Sequence, residues 1–376
     1  MSSLRLRGAY GGAGLQPGAF DAIRSYDAGA GLLTPGNIGN PELGPERSYE
    51  TELGVDAGLF DDRAGFELTY FDGTTRDAIL SRQTAPSTGF PGLQFFNAGR
   101  VDRRGVEWTL RAQPVRADRF SLDVAVNGSV TGYDIRSLAA GTDTVSLSAQ
   151  VAHVTGHAPG AWFDRRVVSA TKNDNGTVPN SSLQCDDGRG GTVPCYTRNV
   201  LGQEVLSAPR VFLGNTVPTR EGSVSIGANF LRQFRLNAFV DYRGGYKKLD
   251  GNRRVRCNLF ALCRENYYPA EFDAVTLAET QRGTVFTYNL IQDASFVRFR
   301  ELSLTYTLPP ALARQLRAAT AAFTVAGRNL GLATNYGGLE PEASFNGGTR
   351  GGAFGQWEQN VLPQTRSFLA TLNLTF

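Results

Sequence analysis

Lysine is almost missing from this chain. Of its 38 basic residues only Lys172, Lys247 and Lys248 are lysine. The positive charge is therefore arginine scattered along the sequence, with no basic tract of the kind that grips nucleic acid. A formal net charge of +3 adds nothing in that direction, so no nucleic-acid partner is expected. Long apolar runs are missing too. Nothing approaches the roughly 18 to 20 consecutive apolar residues of a membrane helix, which excludes a helical span. Residues 1–25 show no apolar core between a basic start and a small-residue cleavage site, so no secretory signal is visible. Met1 is the sole methionine, and the chain reads as one that begins in the middle of a domain.

Catalytic signatures are equally scarce. There is no GxSxG, no phosphate-binding loop, no GxGxxG in a dinucleotide-binding context and no HExxH. No nucleophile, base or metal set assembles, and neither enzyme activity nor a cofactor is expected. The two histidines, His153 and His157, stand four apart, but no helix is expected there to align them, and they read as loop histidines without a metal. The pairs Asp61/Asp62 and Asp186/Asp187 belong to turns or loops, and Asn173–Gly176 is first of all a turn.

What the chain has in quantity is glycine (44), phenylalanine (23) and tyrosine (13), at a mean hydropathy of −0.24. Its length of 376 residues suits two soluble domains or one large barrel. The last ten residues favour the barrel. Phe368, Ala370, Leu372, Leu374 and Phe376 are apolar, with Ser367, Thr371, Asn373 and Thr375 polar between them and Leu369 the one exception. A period of two is a strand with one greasy and one wet face. The same alternation returns in Leu4–Tyr10, Tyr49–Leu59, Ala64–Tyr70, Val106–Arg111, Phe120–Asn127, Ser223–Phe230 and Phe234–Asp241. In Phe296–Leu308 the phase shifts once, between Phe299 and Leu302, which predicts a bulge. Phe323 and Val325 open a short strand before Arg328. The wet faces carry Glu52, Asp56, Glu67, Glu107, Arg111, Asp123, Asn127, Asn229, Arg235, Asn237 and Asp241, as a hydrated lumen would. Tyr49, Tyr70, Phe120, Phe230, Phe234 and Tyr306 fall near strand ends on the other face, where interfacial girdles sit.

Connections separate the architectures. Short turns at Phe60–Arg63, Pro114–Arg119, Leu231–Gln233 and Pro309–Thr320 alternate strictly with long Gly/Pro/Asn-rich segments at 11–46, 76–103, 132–218, 246–294 and 329–366. The turn at 309–320 has room for a helical turn through Ala311–Arg317. Antiparallel neighbours put alternate connections at opposite ends of a sheet, so all long loops share one end. That asymmetry marks an outer-membrane barrel with long extracellular loops and short periplasmic turns. The expected fold is all-β: an antiparallel transmembrane β-barrel portion of about ten long strands. Two other readings remain at this point, a soluble or secreted β-sandwich that binds carbohydrate, and a small self-closing pore.

The segments Asn40–Leu80, Asn97–Leu110, Phe296–Pro309, Gly327–Ser344 and Pro363–Phe376 resemble the SusC/RagA-type TonB-dependent outer-membrane transporters, in the family's own order. The resemblance is to the C-terminal part of the barrel and takes in residues 1–376. It implies half of a barrel of about 22 strands, placed in the cell outer membrane. The implied work is uptake of a bulky nutrient such as a glycan, peptide or siderophore-like ligand. The plug, the TonB-contacting segment and the signal peptide of such receptors are not seen here. The implied partners are outer-membrane lipid, the N-terminal barrel half and plug, the TonB complex through that missing part, and the barrel assembly machinery. A SusD-like lipoprotein stays open as a further one. Phe368, Leu372, Leu374 and Phe376 form the C-terminal signal that the assembly machinery would read.

Within the long loops, Cys185 with Cys195 and Cys257 with Cys263 form two local pairs. On a cell surface these favour two small disulfides, and the absence of CxxC speaks against zinc. Loop aromatics that could stack on a ligand are Trp162, Tyr246, Tyr267, Tyr268 and Trp357; packing of the loops against each other is the competing role for each.

Overall fold

The computed structural model describes residues 1–29, 31–90, 92–138, 142–283, 285–344 and 357–376. Ten long strands form one sheet: β1 (Ser3–Leu15), β2 (Glu46–Leu59), β3 (Ala64–Gln83), β4 (Leu93–Ala117), β5 (Phe120–Ser137), β6 (Arg220–Phe230), β7 (Phe234–Gly244), β8 (Phe296–Thr307), β9 (Thr320–Thr334) and β10 (Ser367–Thr375). They follow one another in chain order, each antiparallel to the next, and β1 and β10 are the two edges. The sheet is an open stretch of barrel wall.

Register turns the sequence alternation into two continuous faces. Near the short-turn end of the outer face, Phe120, Phe230, Phe234, Tyr306, Phe323 and Leu372 are successive cross-strand partners. The rings of this row stack, with centroids 5.3 Å apart for Phe230 and Phe234 and 4.8 Å for Phe234 and Tyr306. A second row toward the long loops runs from Trp108 through Gly128 and Gly222 to Tyr242. Eight residues of β7 separate Phe234 from Tyr242. At a rise of about 3.3 Å per residue and a tilt of about 40° they span about 20 Å of membrane normal, close to the apolar band of such barrels. Past the second row the outer face turns polar. Arg136 pairs with Asp102 and Asp134, each at 2.9 Å, so β3–β5 rise beyond the lipid.

The expected bulge lies at Arg300, where the pairing of β8 with both β7 and β9 slips between Phe299 and Glu301. Two strand ends differ from the sequence reading. The segment 76–103, expected to be a long loop, is mostly strand. Pairing of β3 with β4 continues from Arg76↔Arg100 to Gln83↔Leu93, leaving only 84–92 as connection. Above the membrane both faces meet water, so the apolar alternation that reveals a strand fades while the ladder continues. Likewise the strand begun by Phe323 and Val325 is the fifteen-residue β9; it passes through Asn329 at φ 52° beside the bulge. The helical turn after β8 is Pro310–Gln315.

The loops following β5 and β7 fold into a cap with its own apolar cores. One core gathers Val167, Val178, Leu183, Ala208, Leu277, Ala278 and Phe286 around Cys185 and Cys195. Another gathers Val151, Trp162, Val211, Leu213, Leu249, Leu290 and Ile291. A small three-stranded sheet stitches two loops together: Lys247–Asp250 runs antiparallel to Ile291–Asp293 of the same loop and parallel to Trp357–Glu358 of the last long loop.

The two-faced wall makes a paired prediction. Ile226 lies midway between the aromatic rows on the outer face, four residues from Phe230 and four from Gly222, while Ser225 faces the lumen beside Ala125 and Phe239. Ile226→Arg is expected to destabilise the barrel by about 2–4 kcal/mol, as a cation at the bilayer midplane does. Ser225→Arg should be nearly neutral. The folded fraction in the outer membrane, read from heat-modifiable gel mobility, checks the contrast.

Candidate functional site

The inner face is a wall of ionised and hydroxyl side chains that the register brings opposite one another. Arg7 on β1 donates to both carboxylate oxygens of Asp56 on β2 at 2.8–3.1 Å and to Thr69 Oγ1 at 3.1 Å. Arg111 meets Glu67 at 3.2 Å, and Arg243 meets Glu221 at 3.1 Å. A recess of about 440 Å³ opens on this wall, lined among others by Glu67, Glu107, Thr109, Asn127, Ser129, Glu221 and Asp241. Higher up, Phe71 also faces inward and is buried. Its ring lies under the Arg103 guanidinium, 5.1 Å from the centroid, and Arg103 itself pairs with Glu50. The ring fits because its cross-strand partner is Gly105, where an added Cβ would stand 2.6 Å from the ring and 2.3 Å from the Val130 carbonyl.

Where wall and cap meet, the bulge matters. It aims Arg298 and Arg300 inward together. Arg298 pairs with Glu340, and with Glu342 at 3.0 Å; Arg300 binds Asp241 at 2.8 Å and also reaches Glu342. Arg298 and Glu340 are nearly inaccessible, at 3% and 1% exposure. Lys248, in the loop between β7 and β8, donates to the carbonyls of Glu340 (3.2 Å), Pro341 (3.1 Å) and Ala343. Burial pushes its ammonium down to about 8, while Glu358, Glu340 and Glu342 pull the other way. Tyr246 Oη donates to the Pro341 carbonyl at 3.1 Å. Together these groups clamp residues 340–343 of the last long loop against β8.

The structure distributes the sequence candidates unevenly. Trp162 has no exposed surface, and its indole N–H donates to the Lys247 carbonyl at 2.9 Å. Tyr246 is buried in the clamp. Both therefore pack the cap, leaving no ring face for a ligand. Trp357 lies under Arg254 at 5.7 Å in the small three-stranded sheet. Tyr267 and Tyr268 are exposed, with Arg264 over the Tyr268 ring at 6.0 Å. Cys185 is bonded to Cys195, and Cys257 to Cys263. His153 is buried, accepts the Gly160 N–H on Nδ1 at 3.0 Å and is driven down to about 4 by that burial. His157 stacks on Phe212 at 4.5 Å. Phe368, Leu372, Leu374 and Phe376 stay exposed on the edge strand β10 or just after it.

Several site residues escaped the sequence reading. Phe71 is one of them, since an aromatic in an alternating strand is assigned to lipid unless its parity is counted against Glu67 and Thr69. Arg298 and Arg300 are others, and the phase shift beside them was the available signal. Glu279 is a third kind. It sits in the helix Ala274–Gln281, whose Leu277 and Ala278 pack into the core around the Cys185–Cys195 bond. The helix is capped by the Asp273 carboxylate, which accepts the Thr276 N–H at 2.9 Å. Glu279 is buried, and its Oε1 has no hydrogen-bond partner among the described residues. Burial, with Asp164 and Asp273 adding to it and Arg166 opposing, raises its carboxyl to about 8.

An apolar outer belt between aromatic rows, an ionised inner wall and long loops all at one end define a segment of outer-membrane β-barrel. The chain belongs to the TonB dependent receptor-like, beta-barrel family, whose pattern it matches over residues 2–330. That family is one of transport receptors, and its place is the outer membrane. TonB-dependent receptor P3 of Formosa agariphila is 23% identical over 354 residues, 90% of this chain and 35% of that protein. TonB-dependent receptor SusC of Bacteroides thetaiotaomicron is 22% identical over 351 residues, 90% of this chain and 32% of that protein. The solved structure of the RagAB peptide transporter superposes with a TM-score of 0.74 at 21% identity, over 100% of this chain and 41% of its own. These likenesses bear out the SusC/RagA resemblance of the sequence segments. The chain spans 32–41% of the length of these relatives.

Two predictions follow from the clamp and the cap. Arg298→Ala leaves the Glu340 carboxylate buried and short of its partner, which costs about 3–5 kcal/mol. Residues 335–344 should then lose hydrogen-exchange protection while β6 and β7 keep theirs. Glu279 gives a pH dependence. Its folded value lies above the ordinary 4.5, so the folded cap binds the extra proton. The stability this adds is complete below about pH 4.5 and is lost as pH rises toward 8, by at most about 1.4 kcal/mol per pH unit. Glu279→Gln should flatten that slope in the exchange of helix Ala274–Gln281 and leave the helix better protected at pH 8.

Proposed function

We propose that the chain is the C-terminal part of a SusC/RagA-like receptor barrel that moves a bulky nutrient, a glycan or a peptide, across the outer membrane. The observation that supports this best is the sheet itself. It has a lipid face, a hydrated ionised face and a folded cap at one end, yet both of its edges are open. Unpaired backbone groups cost several kcal/mol each in hydrocarbon, so β1 and β10 need complementary strands. About twelve more would complete a barrel of about 22. In this reading the remaining part of the receptor supplies the plug and the contact with the TonB complex. The cap offers the ligand its exposed tyrosines, Tyr267 and Tyr268, and a SusD-like lipoprotein is the partner expected at the loop end. The solved neighbour is named as a peptide transporter, which makes oligopeptides the first class to test, with oligosaccharides second.

The test uses the whole receptor in its own outer membrane, with fluorescent oligopeptide and oligosaccharide pools as probes. Uptake of one pool, abolished by a protonophore, is expected. In the purified receptor, Tyr267→Ala and Tyr268→Ala should each weaken binding of that pool about threefold to tenfold, the worth of one ring contact. Unchanged affinity in both variants would remove the tyrosines from the site. Steady conductance from this chain alone in a planar bilayer would show a self-closing pore and overturn the receptor reading.

A further inference from the structure

Between β7 and β8 the chain makes a small closed ring. Cys257 and Cys263 are bonded and buried, and the residues between them turn back on themselves. Phe260 N–H donates to the Val255 carbonyl at 3.1 Å, Leu262 N–H donates to the Arg256 carbonyl at 2.8 Å, and Ala261 adopts φ 52°. Asn258 ties the ring to the cap through a 2.6 Å bond to the Thr280 carbonyl, at the end of the helix that packs around the Cys185–Cys195 core. This construction presents Leu259, Phe260 and Leu262 outward, 71%, 62% and 58% exposed. Water gives no reason to hold three large apolar side chains out on a stapled turn, and such a patch marks an interaction surface. The position is also not that of a lipid contact, since the outer face has already turned polar above the row of Trp108 and Tyr242.

The surrounding charge says what kind of surface fits. Residues 253–271 hold four arginines against two glutamates. Arg253 is engaged by Glu265 and Arg264 by Glu271, and Arg254 lies over Trp357. Arg256 is exposed and has no ion pair among the described residues. We propose that the disulfide-closed tip Leu259–Leu262 is a docking knob for a partner protein that offers an apolar socket edged by carboxylates. The staple fixes the tip before the partner arrives, so little ordering entropy is lost on contact. Arg256 sets orientation and disfavours a basic partner. The inference goes beyond the uptake reading and does not depend on which nutrient is carried.

Photo-crosslinking from the whole receptor in living cells tests it, with benzoylphenylalanine in place of Phe260. The expected result is one discrete protein adduct whose crosslinked peptide, read by mass spectrometry, is apolar and flanked by Asp or Glu. Arg256→Glu in the same background, a surface change that leaves the barrel folded by heat-modifiable mobility, should cut the adduct about tenfold. Benzoylphenylalanine at Leu201, an equally open hairpin tip at 77% exposure, should not give that adduct. No adduct, an adduct to lipopolysaccharide alone, or a protein adduct indifferent to Arg256→Glu would each overturn the proposal.

Discussion

In hydrocarbon no water replaces a lost hydrogen bond, so the pairing of each strand's backbone with its neighbour is the condition on which the rest of this structure depends. The ladder forces the chain to run fully extended across the membrane. Extension forces side chains to alternate, and alternation sorts the sequence into a belt for lipid and a wall for water. The aromatic row from Phe120 to Phe323 is a product of that sorting. No residue in it contacts its partner through sequence proximity except across the tight Phe230–Phe234 turn. Five strands must be in register for the rings to meet, and a slip of one residue would move every one of them to the lumen.

The same logic explains how far the sequence could be read. Where a strand crosses lipid its alternation is clearest, and the strands around Leu53, Phe66, Val126, Ile226 and Leu236 were legible residue by residue. Above the lipid the constraint lapses. Thr74, Arg76, Arg100 and Asp102 line one face of the continuing β3–β4 ladder, with Thr75 and Arg103 on the other, and a polar, glycine-containing segment is then indistinguishable from a loop. The bulge at Arg300 was visible as a phase shift. Its consequence, two arginines aimed inward at carboxylates some forty residues downstream, was not, because ion pairing between distant segments leaves no period in a sequence.

The cap obeys different rules. Its cores are short strands, one eight-residue helix and a disulfide, assembled from loops whose composition reads as turns. Trp162 shows the limit well: an aromatic in a polar, glycine-rich stretch suggests a ligand contact, yet its indole N–H finds a backbone carbonyl and the ring disappears into a core. Most buried polar groups come with partners in both regions, Glu279 Oε1 in the cap being an exception. In the wall the partner sits on the same face one or two strands away and can be anticipated from parity. In the cap it comes from another loop and has to be seen.

That division bears on where specificity lies. Arginines along the wall are matched by acids across the sheet: Arg7 by Asp56, Arg103 by Glu50, Arg111 by Glu67, Arg243 by Glu221. Paired in this way they present hydrogen-bonding groups and little net field, and exposed pairs of this kind add little stability of their own. In the receptor proposed above, such a wall would line a wet path for polar solutes. The cap is built on loops whose sequence the ladder does not constrain, and it is joined to the wall through the buried Arg298 and Arg300 clamp. Its exposed side chains are therefore free to change without disturbing register. In the receptor proposed above, discrimination among ligands or partners would fall to that free surface, with the membrane-spanning strands holding it in place.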